Sequence, residues 1–459
     1  MKYRIKRVKP DLLNGNISQQ ILLFFFPVLF GTLFQQLYNT ADAIVVGNFV
    51  GKEALGAVGG STGTVINLLV GFVTGLSSGA TVIIAQYYGS GEREGVQKGV
   101  YSGMFLAVSL GAVLTLFGLY GAGTILKLLN VPDAIYPYSL SYMRIYMLGM
   151  IPTMIYNTGA GVLRAIGDSR RPLYFLIASC ITNIILDILF VAIGGWGVRG
   201  VAVATVISQL ISCVLTLMVL SHTHESYHFE LKKLHFDKDV LKRILIIGLP
   251  TGIQATLYGF ANLFIQSGVN SYGTDTVAAY TAFGKIDALF WNASGAFGTA
   301  MLTFSGQNFG AGNVARVKKG IRQGTMMYLL ITGAISAACW FFGPFFYRLF
   351  TPDREVIRIG MELLRYLCPF WPTFVFVEIL SSSIRACGDS LVPMIMTGLG
   401  VGAMRILWIL FYPSQSIFDT LRCYPISWIL TSVLFLAYYL EGGWLRRSLK
   451  QRSMMMQAV

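Results

Sequence analysis

Two stretches of this sequence repeat each other: "AQYYGSGEREGVQKGV" at residues 85–100 and "GQNFGAGNVARVKKGI" at residues 306–321. At an offset of 221 residues they share Gln, Gly, Gly, Val, Lys and Gly. A second pair, "LRAIGDSRRP" at 163–172 and "IRACGDSLVP" at 384–393, recurs at the same offset. The chain is therefore a tandem repeat, and we expect both copies to fold in the same way. In both copies of this second motif, the GDS sequence is expected to cap the helix that follows it.

Long apolar windows fill both copies. The 459 residues are 54% hydrophobic and only 12% charged, whereas soluble domains are about 25% charged. A helix of about 20 apolar residues spans a bilayer. Twelve such windows occur, at residues 19–46, 54–83, 97–119, 137–160, 172–193, 198–220, 244–270, 276–305, 318–342, 358–381, 393–412 and 422–440. The pattern predicts an all-α membrane protein with twelve transmembrane helices in two parallel six-helix repeats around a central cavity.

Basic residues predict the orientation of these spans. With the N-terminus inside, the inner segments and the span ends next to them hold 24 of the 35 Lys and Arg residues, whereas the outer loops and the span ends next to them hold 7, so both termini should be cytoplasmic. The net charge of +14 comes from the Lys and Arg residues of these short loops. We therefore expect the chain to lie in a lipid bilayer and not to bind nucleic acid. The predicted regions are a cytoplasmic tail at 1–16, an N-lobe at 17–220, a cytoplasmic linker at 221–243, a C-lobe at 244–440 and a cytoplasmic tail at 441–459.

Short sequence motifs give little support for catalysis or cofactor binding. None of the six cysteines forms a CxxC pair. An HExxH sequence occurs at 224–228 in the polar linker, and GxSxG sequences occur at 59–63 and 75–79 inside an apolar window, without the strand-to-helix setting that a catalytic serine requires. The glycine-rich loop at 89–91 has no following GK[ST], which argues against a phosphate cradle. We expect no enzyme activity, no cofactor and no metal site. The four histidines all fall in the linker, where a metal site remains the alternative to a solvated segment.

The twelve spans and the paired "QxxGxG" and "RAxGDS" loops resemble multidrug and toxic compound extrusion (MATE) transporters over residues 17–440. Pro27 and Asp42, with "TNIILD" at 182–187, are most similar to the bacterial DinF-type branch. The resemblance implies a multi-pass protein of the bacterial inner membrane, acting as a monomer. It further implies a secondary active multidrug efflux transporter that exports amphiphilic organic cations in exchange for Na⁺ or H⁺ by alternating access.

Two acids in the first lobe, Asp42 and Asp187, lie in apolar spans, where a charge costs about 2.5–3.5 kcal/mol. Asn183 shares a helix face with Asp187, and Thr205 lies near the start of the next span at a similar depth. Hard cations prefer such oxygen ligands, and buried carboxylates can instead hold protons. The resemblance implies a cation-coupling site at these four residues and adds Asn157, although its estimated depth is lower. In the structural alternative, Asp42 faces the outer loop and Asp187 caps or pairs within the bundle.

The second copy lacks both acids. The counterpart of Asp187 is Trp408, and the sequence near the counterpart of Asp42 reads "FANLFIQSG". A structural role would predict recurrence, so we place ion coupling in the first copy. Pro27 removes a backbone hydrogen bond from the first span and is expected to kink it, which could move Asp42 relative to the fifth span.

The substrate cavity is expected to be lined by aromatic and polar residues. The candidates are Tyr38, Gln254, Tyr258, Asn262, Phe283, Asp287, Trp291 and Glu378. We interpret Asp287 and Glu378 as neutralised by ion pairs, for example with Lys285; alternatively, they attract cationic substrate. A flippase for a lipid-linked oligosaccharide precursor is the competing function, and it is disfavoured because few Lys or Arg residues lie in the spans.

Overall fold

A computed structural model describes residues 11–412 and 414–456, and no β-strand occurs among them. The first ten and last three residues of the predicted tails at 1–16 and 441–459 lie outside this described part. The helices are α1 (Ile17–Phe49), α2 (Lys52–Gly59), α3 (Ser61–Ser90), α4 (Arg93–Leu128), α5 (Tyr136–Leu148), α6 (Met150–Ala165), α7 (Arg170–Asp187), α8 (Gly197–Ser221), α9 (Lys238–Val269), α10 (Thr274–Gly310), α11 (Val314–Arg348), α12 (Arg354–Leu367), α13 (Val375–Ala386), α14 (Leu391–Thr397), α15 (Met404–Phe411), α16 (Ile417–Leu421), α17 (Cys423–Glu441) and α18 (Gly443–Met456).

The helices follow the apolar windows of the sequence. Every window falls on one helix or on two or more consecutive helices, and ten of these segments are long and apolar enough to cross a membrane. Large apolar side chains on them face outward; Leu330, Phe341 and Phe411 are 73%, 74% and 77% exposed. Such surface suits lipid and not water. The all-α membrane fold is confirmed, and the count of twelve spans stays a prediction.

The paired loops adopt paired backbone conformations. Gly91 and Gly312 follow α3 and α10 with φ of 77° and 78°, a left-handed conformation that glycine adopts without strain. Gly167 and Gly388 also have positive φ, at 88° and 109°. Asp168 Oδ1 accepts hydrogen bonds from the first backbone N–H groups of α7, at 3.2 and 3.1 Å. The predicted capping role of the GDS sequence is confirmed at this loop.

Two compact units make up the chain, and the same helix pairings occur in each. In the first unit, α3, α4 and α6 pack against one another and α5 packs on α4. In the second unit, the counterparts α10, α11 and α13 pack together and α12 packs on α11. The core of the first unit is rich in methionine and small residues, including Met143, Met147, Met150, Met154 and Ala202. The sequence repeat is thus also a repeat of tertiary contacts.

The units divide within helices and not at the linker. The first unit is Phe26–Gly252, and the second contains Leu12–Phe25 and the chain from Ile253 onward. The first division lies beside Pro27 in α1, and the second lies beside Pro250 in α9. The predicted lobes at 17–220 and 244–440 therefore differ from the observed units by the first segment of each of these helices, and the predicted linker at 221–243 belongs to the first unit.

Specific contacts explain why the start of α1 belongs to the second unit. The Phe25 ring lies 5.3 Å from that of Phe297. Arg316 donates to the carbonyl oxygens of Leu12 and Gly15 just before the helix begins. Ser18 Oγ donates to Gln323 Oε1 at 3.2 Å. These hydrogen bonds and ring contacts join residues about 300 positions apart, which helical periodicity does not reveal.

Glycines explain why the start of α9 belongs to the first unit. Gly75 and Gly79 on α3 face Gly248 and Gly252 on α9, so two GxxxG sequences meet. A Cβ atom at Gly79 would lie 2.3 Å from the carbonyl oxygen of Ile244. Small residues at this spacing allow membrane helices to pack backbone against backbone. The contact leaves no room for any side chain.

Candidate ion-binding site

Three helices of the first unit carry the predicted cation-coupling residues. Asp42 lies on α1, Asn183 and Asp187 lie on α7, and Thr205 lies on α8. Helices α7 and α8 pack directly against each other. A π-helical segment, Ile188–Ile193, begins at the residue after Asp187. Such segments interrupt the regular α-helical hydrogen bonding and are frequent at functional sites.

The structure brings these four residues together in the protein interior. Thr205 Oγ1 donates to Asp42 Oδ2 at 3.5 Å and to Val201 O at 2.9 Å. Asp42 also interacts with the side chains of Asp187 and Asn183. Asp42 is 4% exposed, and the other three are fully buried. Asp42 therefore does not face an outer loop, and the two acids are neighbours.

We define the polar cluster as Asp42, Asn183, Asp187 and Thr205. Five of its side-chain polar atoms have no hydrogen-bond partner among the described residues. They are Asp42 Oδ1, both carboxylate oxygens of Asp187 and both polar atoms of the Asn183 amide. Leaving a buried polar group unpaired costs about 1–3 kcal/mol, and more for a charged group. A hard cation coordinated by these oxygens, or protons on the carboxylates, would offset that cost. The arrangement is therefore chemically suited to reversible binding of a cation or of protons.

Three tyrosines surround the carboxylate of Asp42. Tyr38, one turn earlier on α1, interacts with Asp42 and Thr205. Tyr142 and Tyr146 on α5 also interact with Asp42, and Tyr146 interacts with Gln209 as well. Tyr38 was predicted as a cavity residue, whereas the sequence analysis missed the other two. Their spacing of four residues on α5 is the signal that could have indicated a shared face.

Asn157 is not part of the polar cluster. It lies on α6 and is half-buried, and its Nδ2 donates to Thr153 O at 2.9 Å within the same helix. None of its hydrogen bonds to the described residues reaches the four cluster residues. The lower depth expected for Asn157 stays a prediction.

The described residues contain no group of three His, Cys, Asp or Glu side chains that could hold a metal ion. The linker histidines have separate environments. His228 Nε2 lies 3.0 Å from Glu230 Oε1, and the ring of His235 stacks on Tyr101 at 4.4 Å. Their separate surroundings give the alternative of a metal site in the linker no support.

Four of the predicted cavity residues, all in the second unit, have polar or aromatic partners. Gln254 is buried, and its Nε2 donates to Thr397 Oγ1 at 3.1 Å. Tyr258, one turn further along α9, also interacts with Thr397. Asn262, a further turn on, is exposed. Phe283 is buried, and its ring lies 6.0 Å from that of Tyr280.

The other three candidates combine acids with aromatic rings. Asp287 Oδ2 accepts a hydrogen bond from Trp291 Nε1 at 2.8 Å. Trp291 packs against the rings of Phe290, Phe374 and Trp428 at 5.0, 5.1 and 6.2 Å. An aromatic cluster beside a carboxylate can bind an amphiphilic cation through both ring faces and charge.

The proposed neutralisation of the acids by Lys285 is wrong. Lys285 is exposed, and within the described residues it forms no ion pair with either acid. Glu378 Oε2 instead accepts from Ser294 Oγ at 3.3 Å, and Glu378 interacts with Arg385 on the same helix. Asp287 interacts with Arg405. Lys285 points elsewhere because residues two apart on a helix, such as 285 and 287, occupy different faces.

Arg405 is a residue that the sequence analysis left out of the site. It is 1% exposed and donates from Nε to Ser427 Oγ at 3.0 Å and from Nη1 to Asn262 Oδ1 at 3.4 Å. The guanidinium also stacks on Tyr424 at 4.2 Å. Helices α9, α15 and α17 are the second-copy counterparts of the helices that hold the polar cluster. Where the first copy collects carboxylates, the second therefore holds a permanent cation.

A known protein family matches each copy of the repeat separately. The MatE family model matches residues 27–189 and again residues 250–410. The chain is 27% identical over 442 residues to the probable multidrug resistance protein YpnP of Bacillus subtilis, covering 95% of this chain and 97% of that protein. It is 23% identical over 384 residues to an FAD transporter of Shewanella oneidensis, covering 82% of this chain and 83% of that protein.

The fold has also been seen in solved structures. An outward-facing structure of a multidrug resistance MATE family transporter of the MOP superfamily matches with a TM-score of 0.88 and 23% identity. The match covers 95% of this chain and 98% of that one. Because the family model matches both copies of the repeat and well over half of the residues, the chain belongs to the MATE family.

Proposed function

We propose that this protein is a secondary active multidrug efflux transporter that exports amphiphilic organic cations in exchange for Na⁺ or H⁺ by alternating access. Family membership and the name of the Bacillus subtilis relative support the transport of drugs. The observation that carries ion coupling is the polar cluster, with two buried neighbouring carboxylates and several unpaired oxygens.

Coupling follows from the different charge of the loaded and unloaded cluster. With a cation or protons bound, the charges of Asp42 and Asp187 are compensated. After release, two carboxylates of like charge remain in a low-dielectric interior and repel each other. A ligand shifts a conformational equilibrium only by its differential affinity for the two states. Pro27 lies in α1 beside the unit division and gives that helix a place to bend in response.

Substrate binding is assigned to the second unit. The aromatic rings around Trp291 offer flat apolar contacts, and Asp287 offers a negative charge next to them. Amphiphilic cations combine an apolar body with a positive charge, so both features match this substrate class. Tyr258 and Gln254 on α9 add polar contacts with adaptable hydrogen bonding.

The test measures ethidium efflux from proteoliposomes with the sodium and proton gradients imposed separately. Asp42→Asn and Asp187→Asn should each abolish gradient-driven efflux, because one neutral amide replaces a titratable or ion-binding carboxylate. Equilibrium binding of ethidium should stay within about twofold, since both acids belong to the first unit and the aromatic cluster belongs to the second. Asp133→Asn, the same change at an exposed loop position, is the matched control and should transport normally.

Full efflux by both variants, driven by the same ion as in the unmodified protein, would show that the polar cluster does not couple transport. Asp287→Asn and Glu378→Gln would then be the next variants to measure.

A flippase for a lipid-linked oligosaccharide precursor is the second candidate function. Arg405 supports it, because a buried guanidinium suits an anionic phosphate better than it suits an organic cation. Three partners already hold that guanidinium, which favours drug export. Unchanged accumulation across a broad panel of cationic dyes, in a pump-deficient host with verified membrane expression, would favour the flippase.

A further inference from the structure

A cavity of about 590 Å³ lies on the second unit, and neither an acid nor a residue of the aromatic cluster is among its lining residues. Helix α11 contributes Lys318, Lys319 and Arg322 to its lining, and helices α13 and α17 contribute Phe376, Leu380 and Leu436, among others. We call this cavity the basic pocket. It therefore combines three cations with an apolar wall.

The three cations of the basic pocket lack acidic partners. Lys318, Lys319 and Arg322 are all exposed, and among the described residues none forms an ion pair. Two of the three, Lys318 and Arg322, have no basic counterpart in the first copy, whereas Lys319 corresponds to a lysine. Their counterparts in the first copy are Gln97, Lys98 and Tyr101, and Lys98 is paired with Glu94 at 2.9 Å.

The charges and the apolar residues are separated along α11. The cations occupy its first turns, after Gly312, whereas Met326 further along the helix is 61% exposed. Since α11 is a candidate membrane span, its polar end lies at the level of the lipid headgroups and its apolar part lies at the level of the acyl chains. The basic pocket thus changes from charged to apolar in the same direction as a phospholipid.

A basic helix lies beside the same pocket. Tyr439, which lines the cavity, stacks on Trp444 of α18 with ring centroids 5.6 Å apart. Helix α18 carries Arg446, Arg447 and Lys450 and contains no acidic residue. Helices that combine basic and apolar residues in this way associate with anionic membrane surfaces. Two separate basic elements therefore meet at one place on the unit.

We propose that the basic pocket binds one anionic phospholipid of the surrounding bilayer. Lys318, Lys319 and Arg322 hold its phosphate, and one acyl chain lies along Phe376, Leu380 and Leu436. Charge complementarity excludes a cationic drug from this pocket, so the site is separate from the transport pathway. The inference depends only on the membrane location of α11 and not on the transported substrate.

The experiment measures lipid binding by the purified full chain. In detergent, phosphatidylglycerol or phosphatidylcholine is titrated, and lipid adducts are counted by native mass spectrometry while thermal stability is followed. We expect phosphatidylglycerol to form a saturable single adduct and to raise the melting temperature. The variant Lys318→Gln/Lys319→Gln/Arg322→Gln should weaken this binding by roughly tenfold or more, because the lost charges attract the anionic headgroup.

The matched control removes three other exposed cations, as Lys52→Gln/Lys127→Gln/Arg348→Gln, and should bind phosphatidylglycerol normally. A second variant, Leu436→Trp, fills the apolar wall and keeps every charge, so it should also weaken binding. Three outcomes would each overturn the proposal. They are binding of phosphatidylcholine as strong as that of phosphatidylglycerol, normal phosphatidylglycerol binding by the triple pocket variant, and stabilisation by inorganic phosphate equal to that by the lipid.

Discussion

Replacing Gly79 by alanine should destabilise the first unit, because α3 and α9 touch there through their backbones. The added Cβ atom would lie 2.3 Å from Ile244 O and 2.8 Å from the backbone nitrogen of Gly248. Ordinary contacts of a Cβ atom begin about 1 Å further out, so the two helices must separate along the whole glycine seam. Gly248→Ala should act in the same way, since its Cβ atom would lie 2.5 Å from Leu76 O.

The magnitude follows from this overpacking. Forcing an extra methyl group into a well-packed contact costs about 1–3 kcal/mol. For a unit of this size, that cost corresponds to a melting temperature lower by roughly 2–12 °C. The assay is thermal unfolding of the purified protein in detergent. A fluorescent fusion of the protein is heated, and size-exclusion chromatography then shows how much of it remains folded.

Gly333→Ala is the matched control. Gly333 lies inside α11, and a Cβ atom there would meet nothing within 4 Å. This variant should be unchanged or more stable by about 0.5–1 kcal/mol, because alanine favours the helix over glycine. If Gly79→Ala and Gly333→Ala melt at the same temperature, the close contact of the two GxxxG sequences does not exist in the membrane protein.

Three further predictions concern single contacts, each measured by the same melting assay. Asp168→Ala should cost about 1 kcal/mol through the lost cap of α7, and an unchanged melting temperature would exclude the capping role. Arg405→Met should destabilise by about 1–3 kcal/mol, because Asp287 and its other partners lose a buried cation; adding Asp287→Asn should recover part of the loss, and no recovery would refute their coupling. Arg316→Gln should expose the chain before α1 to proteolysis, since it loses the contacts with Leu12 O; equal resistance to a protease would contradict this anchoring.

Local sequence sufficed for the elements and for most of the polar cluster. Apolar windows decide membrane helices because burying unpaired backbone groups in lipid is prohibitive, so each window must form its own hydrogen bonds. The acids at 42 and 187 could be identified because a charge in an apolar span is costly and is retained only where it has a role. Asn183 and Thr205 followed from helix periodicity and from estimated depth, which are both properties of the chain alone.

Tertiary packing decided the rest, because those features depend on contacts between distant residues. Tyr142 and Tyr146 approach Asp42 only when α5 packs against α8, the helix that carries Thr205. The separation of Lys285 from the acids depends on which face of α10 is buried. The division of the chain at Pro27 and Pro250 follows from packing across hundreds of residues, which no periodicity records. The repeat and the membrane spans can thus be identified from local sequence, whereas the partners of each buried charge depend on how the helices pack.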